Sequence, residues 1–246
     1  MGSLQGKRAL VTGASRGIGA AIARRLAADG ANVAITYERS AEQARALVTA
    51  IEGHGGRGLA LQASSADPAA VTEAVDRTVQ AFGGIDILVN NAGIYRGGPL
   101  EALTLEDIDA TLAVNVRAVI IASQAAAAHM GEGGRIISIG SCLAERVTET
   151  GVSLYALSKA ALIGWTKGLA RDLGSRGITV NVVHPGSTDT DMNPANGDGA
   201  AAQRARMAIP RYGNPEDIAA LVAFVASAEG RFINGTGLTI DGGANA

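Results

Sequence analysis

The sequence predicts an α/β fold: a Rossmann-like, doubly wound parallel sheet of about seven strands with helices on both faces. Short runs rich in Val, Ile and Leu recur without apolar–polar alternation, so we expect strands that are covered on both faces. Helical stretches separate these runs, and such β-α alternation is typical of parallel sheets. The strands are predicted at Arg8–Thr12, Val33–Tyr37, Gly58–Ala63, Asp86–Asn90, Arg135–Ile139, Ile178–Val183 and Leu238–Ile240.

Helices are predicted between these strands. Asp67-Pro68 and Asn214-Pro215 each combine a capping side chain with a proline in the first turn, which is typical of a helix start. Residues 187–213 are polar, long and punctuated by Gly and Pro, so we expect a functional lid there. No linker, repeat or low-complexity tract divides the chain, and we predict one domain over residues 1–246. The predicted helices lie near 17–29, 41–53, 68–81, 104–128, 153–173 and 215–228.

Composition excludes several classes of protein. A net charge of −2 and a pI near 5.9 argue against nucleic acid or an anionic membrane as the main partner. Cys142 is the only cysteine, which excludes an intrachain disulfide and favours a reducing compartment such as the cytoplasm. With three scattered histidines, a metal site built from Cys and His is not expected. The N-terminus lacks the apolar core of a signal peptide, and Asn115, Arg117 and Gln124 interrupt the most apolar region, 110–128.

A glycine-rich segment, Thr12–Gly19, follows the first predicted strand and opens the first predicted helix. Glycines in this position permit a tight turn and let backbone N–H groups approach a pyrophosphate at the helix N-terminus. An ordinary glycine-rich turn is the alternative, but the location at the start of a βαβ unit favours phosphate binding.

Tyr155 and Lys159 stand four residues apart in a predicted helix, so their side chains share one face. An ammonium near a phenol stabilises the phenolate and lowers its pKa, which is normally about 10. We therefore expect Tyr155 to exchange a proton with an alcohol or a carbonyl near neutral pH.

Together these motifs resemble those of the short-chain dehydrogenases/reductases, in their short single-domain branch. The resemblance covers essentially the whole chain and is carried by an ordered set rather than by one motif. The set comprises the Thr-Gly-x-x-x-Gly-x-Gly pattern of Thr12–Gly19, Asn90-Asn91-Ala92-Gly93, Asn115, Ser141, Tyr155-x-x-x-Lys159, Pro185-Gly186 and Asp241-Gly242-Gly243.

The resemblance implies an oxidoreductase that acts on CH–OH groups with a nicotinamide cofactor. Tyr155 would be the general acid/base, and Lys159 would lower its pKa and bind the nicotinamide ribose. Ser141 would orient the substrate oxygen, and Asn115 would hold a water that links Lys159 to solvent. The residues expected to bind the cofactor are Gly13, Ser15, Arg16, Gly17, Ile18, Gly19, Tyr37, Arg39, Ser40, Ser64, Ser65, Asn91, Ala92, Gly93, Tyr155, Lys159, Pro185, Gly186, Thr188 and Thr190.

Each of these roles has an alternative. Ser141 could cap a turn, with Ser138 as a nearby competitor, and Asn115 could be a buried amide satisfied by backbone. Cys142 lacks a paired base, so we do not expect a nucleophile there. For His184 we expect packing or loop positioning rather than catalysis.

The end of the second predicted strand favours NADP(H) over NAD(H). Tyr37 occupies the position where an acidic residue usually selects NAD, while Arg39, Ser40 and Arg16 can contact a 2′-phosphate. Glu38 is the opposing residue, since a carboxylate aimed at the ribose would repel that phosphate. After the third strand, Ser64 stands where many relatives have an Asp that binds adenine.

The closest family resemblance is to the 3-oxoacyl-[acyl-carrier-protein] reductases. Those enzymes carry Lys and Arg before the fifth strand, where a basic patch receives the acidic carrier protein. Here the segment 124–134 holds no Lys or Arg, and Arg176 could supply only part of a patch. We therefore expect a free small-molecule ketone or secondary alcohol. Ser187, with Thr188 and Thr190, resembles the segment that contacts the nicotinamide amide and the pyrophosphate. Candidate pocket walls are Leu143, Ala144, Arg146, Met192, Met207 and Ile209, and simple packing of a mobile loop is the alternative.

Two other functional classes are less consistent with the sequence. A non-catalytic nucleotide-binding scaffold would have lost Tyr155 or Lys159, and both are present. Dehydratase or epimerase chemistry on the same fold is disfavoured by the complete proton-relay set. The resemblance also implies a homotetramer that associates through the two long central helices and the C-terminal strand region.

Overall fold

The computed structural model describes residues 2–246 and contains a seven-stranded sheet in which every pairing is parallel. The strand order is β3-β2-β1-β4-β5-β6-β7. This confirms the predicted doubly wound sheet. The strands are β1 Arg8–Val11, β2 Asn32–Tyr37, β3 Gly58–Gln62, β4 Ile87–Asn90, β5 Arg135–Ile139, β6 Thr179–Pro185 and β7 Gly237–Ile240.

Helices connect the strands at close to the predicted positions. The 3-10 turn Cys142–Ala144 follows β5, and α7 lies inside the predicted lid, where the sequence pattern indicated no regular element. The helices are α1 Gly17–Ala28, α2 Ala41–Glu52, α3 Pro68–Phe82, α4 Leu105–Leu112, α5 Ala118–His129, α6 Ser153–Gly174, α7 Ala200–Ala205 and α8 Pro215–Ala226.

The long helix predicted over 104–128 is interrupted by a π-helical turn at Ala113–Arg117. Such turns are rare and occur mostly within helices at functional sites. Asn115 lies at the centre of this turn and is 1% exposed. The interruption therefore falls on one of the predicted catalytic residues.

Two apolar layers cover the sheet because successive strand residues point to opposite faces. Ala9 and Val11 pack in the layer that includes α1, α2 and α8, whereas Leu10 packs in the layer that includes α3, α5 and α6. Every residue of β4 and β5 is buried, as expected for central strands of a parallel sheet. Abundant alanine lets the helices approach the sheet closely. In α1, for example, the buried run Gly19–Ala23 holds four small residues and Ile22.

The continuous helical stretch Leu105–His129 is long and apolar enough to cross a membrane by length and composition. The polar residues Asn115, Arg117 and Gln124 were expected to keep this region from resembling a membrane span, and that expectation was too strict. Of its most apolar window, 44% is buried within the protein, and α5 packs against α3 and β4. This is the environment of a core helix, which passes the same compositional test.

The order of the strands reverses between β1 and β4, since β1 pairs with β2 on one side and with β4 on the other. Loops that leave the carboxyl ends of these two strands diverge to opposite faces, which opens a crevice between them. The glycine-rich segment after β1 and the Asn90–Gly93 segment at the end of β4 meet at this crevice.

Candidate active site

Glycine is required in the turn between β1 and α1 for two reasons. Gly13 has φ +62°, and a Cβ there would lie 2.8 Å from the Cα of Ala92. A Cβ on Gly19 would overlap the side-chain amide of Asn91. The turn is thus packed directly against the segment that follows β4, and it leads into the N-terminus of α1, where the first N–H groups of a helix have no partner within the helix.

Hydrogen bonds join the two loops of the crevice. The Thr12 hydroxyl accepts from the backbone N–H groups of Asn91 at 3.0 Å and of Ala92 at 3.1 Å. The Asn91 amide donates to the carbonyls of Thr12 at 2.9 Å and Gly13 at 3.0 Å. The side-chain amide of Asn91 thus supports the glycine loop from behind, and the cofactor contact expected for Asn91 stays a prediction.

The start of the lid lies over the glycine loop. A Cβ on Gly17 would be 3.5 Å from the methyl group of Thr190, and the guanidinium of Arg16 is 3.3 Å from the carboxylate of Asp191. Thr188 is buried, and its hydroxyl donates to the carbonyl of Gly186 at 3.0 Å. The structure therefore brings the predicted segment after Pro185 next to the glycine loop.

Residues that follow β2 form the far end of the crevice. Arg39 is exposed and lies 3.8 Å from the Glu38 carboxylate, which is also largely exposed. Surface pairs of this kind contribute only about 0–1 kcal/mol, so the Arg39 side chain is free to turn toward a ligand. Tyr37 ends β2. Ser40 is the N-cap residue of α2, but its hydroxyl accepts no hydrogen bond from the backbone N–H groups of the first helical turn.

Ser64 and Ser65 follow β3 beside the crevice. The Ser64 hydroxyl accepts from the backbone N–H of Ala66 at 3.3 Å, so it is partly engaged in its own turn. Ser65 lines a small cavity together with Asn90, Ala92 and Val114. Both residues thus stand at the edge where the sequence predicted the adenine site.

Tyr155 and Lys159 lie on α6, as predicted, and Ser141 follows β5 at the same carboxyl edge of the sheet. The Lys159 ammonium donates to the carbonyl of Ile139 at 2.8 Å and lies 5.7 Å from the centre of the Tyr155 ring. The Ser141 hydroxyl accepts from the N–H of Leu143 at 3.2 Å, which leaves its own proton available to another acceptor.

The direction of the Tyr155 pKa shift is opposite to the one predicted from the sequence. Burial, which disfavours the phenolate, raises the pKa of Tyr155 to about 12, and the nearby Ser141 side chain only partly opposes this. Burial lowers the pKa of Lys159 to about 8 because it disfavours the ammonium. The expectation of a lowered phenol pKa was wrong for this arrangement, since the ammonium is directed at Ile139 and desolvation dominates.

Asn115 connects three parts of the site. Its Oδ1 accepts from the N–H of Ile94 at 2.9 Å, and its Nδ2 donates to the Ile94 carbonyl at 2.9 Å. The same Nδ2 donates to the Ser158 hydroxyl at 3.0 Å, and that hydroxyl donates to the carbonyl of Tyr155 at 2.7 Å. Gly93 fits between Asn115 and Lys159, since a Cβ there would lie 3.4 Å from an atom of each. The water-holding role expected for Asn115 stays a prediction.

His184 is fully buried and adjoins the Ser141 backbone. Its Nδ1 lies 3.0 Å from the Ser141 carbonyl and 3.3 Å from the Ser141 N–H. Burial lowers the pKa of His184, so the imidazole is neutral at neutral pH. These contacts agree with the expected loop-positioning role.

Cys142 stays a thiol at neutral pH. Burial and the charge of Asp241 raise its pKa to about 11, and the thiolate is the nucleophilic form. This agrees with the interpretation that Cys142 is not a nucleophile.

Sequence reasoning missed two features of the site. Tyr95 lies against Tyr155, with ring centres 5.3 Å apart, and Arg206 at the end of the lid helix pairs with Glu149 at 2.7 Å. Tyr95 is one of only four tyrosines and comes two residues after Gly93, so scarcity and position were available signals. No sequence signal pairs Arg206 with Glu149, because their contact depends on how two irregular segments fold.

Comparison with known proteins places the chain in a family. Residues 13–245 match a family model described as Enoyl-(Acyl carrier protein) reductase. A short-chain dehydrogenase from Burkholderia cenocepacia in complex with NADP is 75% identical, with a TM-score of 0.98 over 99% of this chain and 100% of that one. A blue fluorescent protein from a metagenomic library, in complex with NADPH, is 56% identical with a TM-score of 0.98 over the same shares.

A curated relative carries a different description. The cyclic-di-GMP-binding biofilm dispersal mediator protein of Escherichia coli K12 is 46% identical over 98% of each chain. Together with the fold and the ordered motifs, these matches show that the chain belongs to the short-chain dehydrogenase/reductase family of oxidoreductases.

The glycine cradle leads to a first prediction. Gly13→Ala should weaken NADPH binding by about tenfold or more, because the added methyl meets Ala92 and displaces the loop that forms the cradle. The dissociation constant is measured by titrating the protein with NADPH and following the change in NADPH fluorescence on binding.

Gly55→Ala is the matched control, since Gly55 also has a positive φ, at +84°, but a Cβ there meets nothing within 4 Å. It should cost about 1–2 kcal/mol of stability and leave NADPH affinity unchanged. Equal losses of affinity in the two variants would contradict the packing argument.

Proposed function

We propose that the chain is an NADP(H)-dependent carbonyl reductase and secondary alcohol dehydrogenase in which Tyr155 is the general acid/base. The convergence of Ser141, Tyr155 and Lys159 at the carboxyl edge of the sheet, beside the glycine cradle, carries this proposal. The neutral phenol is the form that a reduction requires, and the burial that raises its pKa to about 12 keeps it protonated.

The described residues fit a phosphorylated dinucleotide. Gly13 and Gly19 let the glycine turn pack directly against Ala92 and Asn91, and the guanidinium groups of Arg16 and Arg39 lie in weak, exposed ion pairs. NADP and NADPH in the solved relatives agree with this preference. When bound, the cofactor supplies or accepts the hydride.

The chain's own groups manage the proton and the developing charge. In reduction, Ser141 Oγ donates a hydrogen bond to the carbonyl oxygen, and Tyr155 Oη transfers its proton to that oxygen as negative charge develops. Lys159, with a pKa of about 8, supplies positive charge beside the phenolate that remains. In oxidation the same groups act in reverse, with Tyr155 as the base.

A free small molecule is favoured over a carrier-bound substrate. Arg176 was the one cation expected to contribute to a basic docking patch, yet its guanidinium donates to the carbonyls of Ala127 at 2.6 Å and Met130 at 2.9 Å. It therefore stabilises the end of α5 and is not free to bind an acidic protein. A 3-oxoacyl-[acyl-carrier-protein] reductase remains the alternative function, and a much higher kcat/KM for a carrier-bound than for a free ketone would establish it.

We also propose that the protein acts as a homotetramer in the cytoplasm. A groove of about 450 Å³ between α5 and α6 is lined by Ile120, Trp165 and Leu169, and Phe232, near the edge strand β7, is 99% exposed. Exposed apolar surface of this kind is typical of contact regions. The single cysteine and net charge of −2 accord with a reducing, aqueous compartment.

Replacing the proposed acid tests the chemistry. Tyr155→Phe should lower kcat for NADPH-dependent ketone reduction by at least about 100-fold and leave NADPH affinity within about twofold, because only the proton donor is removed. Loss of NADPH absorbance with a panel of ketones measures the rate.

The pH profile is a second readout of the same site. For the unmodified protein the rate should fall above pH 8, where Lys159 with its pKa of about 8 loses its charge, while the phenol stays protonated. Unchanged activity in Tyr155→Phe, or no activity on any carbonyl, would defeat the proposed function.

Cofactor preference is tested with the two flanking arginines. Replacing both Arg16 and Arg39 with Ala should raise the KM for NADPH about tenfold or more and change that for NADH much less, because only NADPH carries the 2′-phosphate. Arg45→Ala, at an exposed position on α2, is the control and should change neither value. Equal increases for both cofactors would show that the arginines do not select NADPH.

The oligomeric state is tested at the groove. Light scattering should give the mass of four chains, and Leu169→Arg should reduce it to two by placing a charge in the groove. Gln43→Arg adds the same charge at an exposed position on α2 and should leave the tetramer intact. A monomeric unmodified protein, or a fully folded Leu169→Arg tetramer, would refute this assembly.

A further inference from the structure

Tyr95 places a second aromatic ring beside the proposed acid. The centres of the Tyr95 and Tyr155 rings are 5.3 Å apart, and the planes are inclined by 60°. Tyr95 is nevertheless 49% exposed, so about half of its surface faces open space next to the reacting group. The exposed part of this aromatic ring is therefore available to pack against a bound molecule.

The backbone before Tyr95 is held rigidly. Both polar backbone groups of Ile94 bond to the side chain of Asn115, each at 2.9 Å. Because Asn115 is 1% exposed, water does not compete for these bonds. The peptide that carries Tyr95 is therefore fixed to the same amide that is linked through Ser158 to the Tyr155 backbone.

The other end of the Tyr95 ring rests against a glycine. A Cβ on Gly97 would overlap the Tyr95 hydroxyl, so the ring can occupy its position only because residue 97 has no side chain. The next residue, Gly98, donates its N–H to the carbonyl of Gly151 at 2.8 Å, which joins this segment to the start of α6. The ring is thus pre-organised and loses little conformational freedom when a ligand packs on it.

Nearby charges are compensated. Burial raises the pKa of Tyr95, and the negative charge of Glu149 adds a smaller increase. Glu149 is paired with Arg206 at 2.7 Å. The raised pKa keeps the Tyr95 phenol neutral throughout the physiological range. Arg96 faces Asp107 at 3.8 Å. The pairs of Glu149 with Arg206 and of Arg96 with Asp107 therefore add little net charge to the surface around the Tyr95 ring.

We propose that Tyr95 is a specificity-determining residue that selects uncharged ketones with an aromatic ring on the carbonyl carbon. This inference rests on the proposed carbonyl reduction. Because the Tyr95 and Tyr155 rings are 5.3 Å apart and Tyr95 is half exposed, a ring attached to a carbonyl that is hydrogen-bonded to Tyr155 Oη can pack on the exposed part of Tyr95. Aromatic pairs contribute more than their buried area alone, so a saturated ring of the same size gains less.

The test compares acetophenone with cyclohexyl methyl ketone, which have similar shapes and differ in aromaticity. The unmodified protein should reduce acetophenone with the higher kcat/KM. Tyr95→Leu should lower kcat/KM for acetophenone about fivefold to tenfold, mainly through KM, and change that for cyclohexyl methyl ketone less than about twofold. Tyr95→Phe should retain the preference. Leu100→Ala, at a residue that is 77% exposed, is the control and should alter neither ketone.

A binding measurement separates selection from chemistry. Calorimetric titration of NADP⁺-saturated protein with each ketone should show the same loss of acetophenone affinity in Tyr95→Leu, with NADP⁺ affinity unchanged. Equal losses for both ketones, or no preference in the unmodified protein, would overturn the role of Tyr95 while carbonyl reduction stands. If the protein reduces neither ketone, and if Tyr155→Phe leaves the rate unchanged with every other carbonyl compound tested, the proposed carbonyl reduction is refuted as well.

Discussion

The hydrogen bonds between Thr12 and Asn91 are the constraint on which the rest of the site depends. They fasten the loop after β1 to the loop after β4 at the place where the strand order reverses. The glycine cradle has its shape because the amide of Asn91 occupies the space behind it. The same loop after β4 continues through Gly93 to Ile94 and Tyr95. The Thr12–Asn91 hydrogen bonds therefore help to position both the proposed cofactor side and the proposed substrate side of the crevice.

Burial shifts the pKa values of Tyr155 and Lys159, the two proposed catalytic groups on α6, in opposite directions. Burial favours the neutral form of each group. The Tyr155 phenol therefore keeps its proton, and the Lys159 ammonium loses its proton more readily. A site that excludes water in this way strengthens any charge that develops within it. The reactive state of the pair is therefore set by the surrounding protein more than by their spacing on the helix.

The fold and the order of the motifs were predictable from the sequence, because they depend on local patterns. Apolar runs, the Asn214-Pro215 cap and the glycine spacing place each element within a few residues. The π-helical turn at Asn115 and the pairing of Arg206 with Glu149 were not predictable, since both arise from contacts between distant segments. The pKa of Tyr155 was misjudged for the same reason: helical spacing reveals a neighbour but does not reveal how much solvent a side chain loses.

The dual attachment of Asn115 has a consequence for how such a site can change over evolution. One amide supports both the segment that carries Tyr95 and, through Ser158, the helix that carries Tyr155. Under the roles proposed for Tyr95 and Tyr155, a substitution at Asn115 alters reactivity and substrate preference together. Under the same roles, new substrates are reached more readily by changing residue 95, whose exposed side chain can vary without altering the residues proposed to transfer the proton.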